Sequence, residues 1–172
     1  MNPKLMGIFQ RRSVREFAPG DVPEEALRDM LEAAMAAPSA CAKDPWAFVV
    51  VRDRAMLARL AEGLPNGRFL PTAALGVAVC GDLRRAHGGE LSYLIQDCSA
   101  AIENFLLAAS QLGYGACWLG VHPRPDRIAL LKQALGLPEE VIPIAMIALG
   151  VPRVHPPART RYRDEAVHRE RW

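Results

Sequence analysis

Apolar positions along this chain keep two rhythms. Leu27, Met30, Leu31, Ala34 and Met35 recur three and four residues apart, which predicts a helix with one buried face. Asp21, with Pro23 and then Glu24 three residues on, reads as its capped start, and Pro38 stops it. A shorter helix is predicted over 3–10, and others over 54–62, 92–112 and 126–135, the last two closed by Gly113 and by Gly136 with Pro138. The β-branched run Ala47-Phe48-Val49-Val50-Val51 reads as a strand. So do 75–80, 116–120 and 142–149, the last expected to begin at Pro143 because proline sits at strand starts and edges. In the 92–112 helix, Ile95, Cys98, Ala101, Ile102, Phe105, Leu106, Ala108 and Ala109 cover too wide an arc for one contact face. Such a helix is buried on several sides, in a core or at an oligomer interface. Strands alternating with helices predict an α/β or α+β sandwich on a small sheet.

Beyond Gly150 the rhythm stops. The last 22 residues carry Pro152, Pro156, Pro157 and six arginines, a tail that cannot make its own core and must lie over something. A chain of 172 residues fits one domain large enough to need no disulfide or metal staple. Its 51% hydrophobic and 23% charged content excludes a disordered or collagen-like chain. A net charge of +2 is too weak to argue for nucleic acid or an anionic membrane surface. Of the 21 basic residues only Lys4, Lys43 and Lys132 are lysine, a bias that nucleotide composition explains for most positions, while an arginine placed at a phosphate would grip it through its planar fork. The cysteines Cys41, Cys80, Cys98 and Cys117 form no CxxC pair and the histidines show no ligand spacing, so no metal site is expected. No targeting segment or membrane span is expected, and free thiols suit a cytoplasmic protein. No GxGxxG after a strand, no P-loop and no nucleophile elbow occurs.

Five blocks taken together change the picture: RRSVREF at 11–17, APSACAKDPWAFVVV at 37–51, QDCSAAIENFLLAASQLGYGACWLG at 96–120, GLPEEVIPIAMIALGVP at 136–152 and RTRYRDEAVHRERW at 159–172. In this order and at these distances the chain resembles the flavin-dependent nitroreductase family over nearly its whole length. The resemblance implies an α+β fold, a mixed sheet flanked by helices, in an intertwined homodimer with FMN at the subunit interface. It implies one FMN-binding domain over 1–150 and an arm over 151–172 that packs on the partner. The activity implied is NAD(P)H oxidation with NADH or NADPH as reductant, followed by electron transfer to a nitroaromatic, quinone or similar small acceptor in a ping-pong sequence.

Residue roles carry over with the blocks. Arg11 and Ser13 resemble phosphate and ribityl contacts, Arg12 a basic position near the phosphate, and Arg15 the cation beside the flavin pyrimidine. Arg159 and Arg161 match the late basic pair of the phosphate clamp. Pro38, Ser39 and Ala40 match a loop that reaches the flavin from the partner chain. Trp118, Leu119 and Gly120 match the strand end whose backbone approaches the ring. No catalytic side chain is implied, because the cofactor carries the chemistry. Two positions depart from the pattern: Ala42 replaces an asparagine and Asp44 a glutamine. They give weight to a non-reductase FMN-binding dimer used for storage or sensing, and another flavin reaction such as reductive dehalogenation is a third reading. The stretch 63–95 lacks a long helical roof, which predicts an open flavin face.

Overall fold

The structure, a computed structural model, describes residues 1–172. Strands β1 (Trp46–Val51), β2 (Leu75–Asp82), β3 (Gly115–Gly120) and β4 (Val141–Gly150) form one sheet in the order β1-β2-β4-β3, with every neighbouring pair antiparallel. The parallel component of the expected mixed sheet is an isolated bridge from Ser13 to Ala116 on the outer side of β3. The helices are α1 (Met6–Gln10), α2 (Glu24–Met35), α3 (Arg54–Glu62), α4 (Leu91–Gln111) and α5 (Pro125–Leu135).

Side chains alternate across a strand, and the two central strands are apolar on both alternations. Val77, Val79, Ile147 and Leu149 share a core layer with Leu27 and Met30 of α2 and with Leu94, Ile102 and Phe105 of α4. Ala78, Cys80, Met146 and Ala148 share the opposite layer with Leu57 and Leu60 of α3 and Leu131 of α5. Helices therefore cover both faces, which is why β2 and β4 read as unbroken apolar runs.

Two local expectations are corrected. The capping box at α2 does not form: Pro23 holds the cap position with no side-chain bond. Asp21 instead accepts from Val22 N–H at 2.8 Å and pairs with Arg52 at 3.0 Å, while Glu24 meets the same guanidinium at 3.2 Å. An arginine fork at the end of β1 is a stronger donor than a helical amide, so it takes both carboxylates. Pro143 does not start its strand either. It lies inside β4, where the register against β2 slips between Val79 and Cys80, and such a bulge tolerates a residue with no N–H.

The tail is tied to the body by a few backbone contacts. Phe17 bridges Pro152, Arg153 N–H donates to Glu16 C=O at 3.0 Å, and Arg159 N–H donates to Phe9 C=O at 3.1 Å. Beyond Arg161 the polar and ring contacts stay within the tail itself, and Trp172 stands fully in solvent. No helix is long and apolar enough to cross a membrane.

Candidate cofactor site

The segment after α1 runs beside β3, with Val14 N–H donating to Ala116 C=O at 3.0 Å. Val14 and Phe17 turn inward and are buried, which leaves Ser13 and Arg15 exposed. At the start of this segment lies a cavity of about 190 Å³ lined by Ile8, Arg11, Arg12, Arg159 and Arg161. Four guanidinium-bearing residues thus meet at the junction of the chain's two ends. A single carboxylate attends them, Glu103 on α4, at 3.1 Å from Arg11. Arg12 also donates to the Pro157 carbonyl at 2.5 Å and so holds the tail in place. Arg161, followed by Arg12, pushes the Arg159 pKa below its ordinary value, because like charges stand close without a counter-ion. Such a cluster is a site for a multiply charged anion.

A second cavity, of about 480 Å³, opens at the other end of the segment. Arg15, Pro65, Asn66, Arg68, Phe69, Cys117, Trp118, Leu119 and Gly120 surround it. Its wall of Pro65, Asn66, Arg68 and Phe69 comes from the connection between α3 and β2, folded as 3₁₀ turns at Pro65–Gly67 and Leu70–Thr72. A Cβ on Gly67 would stand 2.7 Å from Leu119 Cδ1, so a larger residue would have to push that side chain aside for the turn to lie against β3. Sequence reasoning assigned no site residue here; the buried glycine between Asn66 and Arg68 is the signal it passed over. Cys117 belongs to the lining of this second cavity. Burial pushes its thiol pKa up, against the opposing pull of Arg15, Ser13 and Arg11.

The edge of β3 supplies backbone donors. Ala116 turns its carbonyl away from β4 toward Val14, so strand alternation turns the N–H and C=O of Trp118 and Gly120 the same way. No strand lies alongside these two residues, and both line the second cavity. Gly120 has an ordinary backbone conformation, and a Cβ there would meet nothing within 4 Å. Nothing inside the chain requires glycine at this point. A flat group laid against the strand end would, and a cluster of arginines one segment away suits its phosphate, so the residues present fit FMN.

The third expected element stands apart. Pro38, Ser39 and Ala40 follow α2 and line neither cavity. Ala40 N–H donates to Asp97 Oδ1 of α4 at 2.9 Å, and Ser39 Oγ donates to Asp44 Oδ1 at 2.5 Å while accepting from Asp44 N–H at 2.9 Å. Within this chain the Asp44 carboxylate is therefore engaged by Ser39. Cys41, Ala42 and Asp44 all adopt left-handed backbone, with φ of 51°, 51° and 46°. Arg11, Arg12, Arg159 and Arg161 are brought together, as are Arg15, Trp118, Leu119 and Gly120, with Ser13 between the two groups.

The family model described as "Nitroreductase family" matches residues 8–67 and 61–151. A "Putative NADH dehydrogenase/NAD(P)H nitroreductase" from Archaeoglobus fulgidus is 40% identical over 175 residues, covering 100% of each chain. A crystal structure from Parabacteroides distasonis, described in the same words, superposes with a TM-score of 0.93 at 37% identity over 100% of both chains. A third, from Desulfovibrio desulfuricans, is described as a "putative nitroreductase in complex with FMN" and is 33% identical, with a TM-score of 0.86 over 100% of this chain and 99% of that one. With its core, its two cavities and these matches spanning the whole molecule, the chain belongs to the nitroreductase family.

Proposed function

We propose that the protein is an FMN-dependent NAD(P)H oxidoreductase that works as a homodimer and passes electrons, in ping-pong fashion, from NADH or NADPH to a nitroaromatic, quinone or similar acceptor. The observation that carries this reading is the pairing of a four-arginine anion cavity with an open strand edge ending at Gly120, joined by one short segment. FMN, when bound, supplies the two-electron chemistry.

The chain's own work is to hold and to bias. Arg11, Arg12, Arg159 and Arg161 bind the phosphate, and Ser13 stands between them and the ring cavity. Arg15 brings a cation to the ring cavity, where it favours the negatively charged reduced form. The Gly120 N–H, unpaired at the strand edge, would be a fixed donor for a ring nitrogen that gains charge. Arg15→Ala therefore shifts the midpoint potential of the bound cofactor negatively in a redox titration. Pro38, Ser39 and Ala40 serve the partner's site, since they line neither cavity of their own chain. Residues 151–172 form the arm that packs on the partner, beyond a domain over 1–150. The apolar positions left exposed on α4, Leu91 and Tyr93, and on the arm, Tyr162, Val167 and Trp172, support that dimer.

The test is the visible spectrum of the purified protein before and after anaerobic NADH and NADPH, with light scattering for the oligomeric state. A flavin spectrum that bleaches, in a dimer, is the expected result. Bound flavin that refuses both donors would favour the storage or sensing reading.

A further inference from the structure

The open end of β3 is held by a residue that the reading above leaves unused. Arg127 donates from its guanidinium to the Gly120 carbonyl at 2.7 Å. It forms no ion pair, and it sits in the first turn of α5, where Pro125 begins the helix. A cation in that turn opposes the helix macrodipole, so helix stability does not account for it. Strand pairing does not account for the contact either, because the Gly120 carbonyl points away from β4. The arginine ties the last edge carbonyl of β3 at a strand glycine whose missing side chain faces empty space.

We propose that Arg127 is a positioning residue for the cofactor. Its guanidinium fixes the peptide that follows Gly120, which keeps the Gly120 N–H aimed along the strand edge into the ring cavity. It also sets a positive charge at the Gly120 carbonyl, beside a residue that lines the ring cavity. Both effects favour reduced over oxidised FMN. The inference rests on FMN occupying the ring cavity and adds to it a determinant outside the cavity lining.

The experiment compares wild type with Arg127→Gln and Arg127→Lys, measuring FMN uptake, the midpoint potential by anaerobic titration and the melting temperature of the protein freed of FMN. Arg127→Gln is expected to retain oxidised FMN while losing about tenfold in the preference for reduced over oxidised cofactor, the low end for a charge acting through one peptide. That is a fall of about 30 mV for a two-electron couple. Arg127→Lys, which keeps the charge, restores part of the potential. An unchanged potential in FMN-loaded Arg127→Gln overturns the proposal, and a lowered melting temperature beside it reduces the contact to a strand cap. A wild-type protein that takes up no FMN overturns the cofactor reading itself, and the role of Arg127 with it.

Discussion

Removing Arg161 separates a cofactor clamp from a merely exposed tail. The side chain lines the arginine cavity, yet it makes no hydrogen bond and no ion pair within the chain. Its main effect on the folded protein is repulsive, since it is the foremost cause of the lowered Arg159 pKa. Arg161→Ala should therefore leave the melting temperature of the FMN-free protein unchanged or slightly raised. A hydrogen bond to a charged group contributes about 1.5–3 kcal/mol, so FMN affinity should fall about ten- to a hundred-fold, toward the lower figure because the residue is solvated. Fluorescence titration with FMN reads this directly, and riboflavin serves as the control because it lacks the phosphate. The difference between the two ligands should shrink as salt is raised and the charges are screened. An FMN affinity within twofold of wild type would remove Arg161 from the clamp. An equal loss for riboflavin would mean that the variant disturbs the fold and not an anion contact.

Gly120→Leu should leave the FMN-free protein as stable as wild type, since its Cβ has open space, while abolishing FMN uptake; retained uptake would refute the ring placement. Ala42→Gly should raise stability by about 1 kcal/mol in urea unfolding, because it relieves a left-handed alanine in an exposed loop, and a loss would show that the loop's conformation costs nothing. Burial pushes the Cys80 and Cys98 thiols up to about 12, with Cys80 and Asp97 adding to the shift at Cys98. Unfolded thiols lose their protons from about pH 8.5–9 upward and the folded ones do not, so stability present at neutral pH is lost as pH rises, by roughly 1.4 kcal/mol per thiol at pH 10. Urea midpoints at pH 8 and pH 10 check this, and a double Cys→Ala variant should lose most of the dependence.

The core helices and strands could be read from sequence because burial alone decides them. Leu27 to Met35 and Val77 to Cys80 advertise their periods whatever else the chain does. What escaped were positions settled by a competing partner far away in sequence. Asp21 looked like a cap because its neighbours suit one, but Arg52, 31 residues on, outbids the local amide. Pro143 looked like a strand start because the slip in register that shelters it belongs to the pairing with β2. The arginines of the anion cavity carried no periodic signal, and only the block-by-block family likeness joined residues 11–12 to 159–161. Asn66, Arg68 and Phe69 escaped even that, for a connection rich in turn residues shows which wall it forms only once Leu119 is seen against Gly67. The departures at Ala42 and Asp44 were visible as residue types, whereas their left-handed backbone and the engagement of Asp44 by Ser39 were not.

The arginine cavity is assembled from the two extremities of the polypeptide, and Arg12 reaches a carbonyl 145 residues away to seal it. This seam separates folding of the core from assembly of the anion cavity. The sheet and all five helices end by Gly150, so the core can form without Arg159 and Arg161, and half of the four-arginine cluster is added from outside the folded body. A chain cut near Val154 would keep the core and lose half of the anion cavity, and an anion bound there would act as a clasp that ties residues 11–12 to residues 159–161.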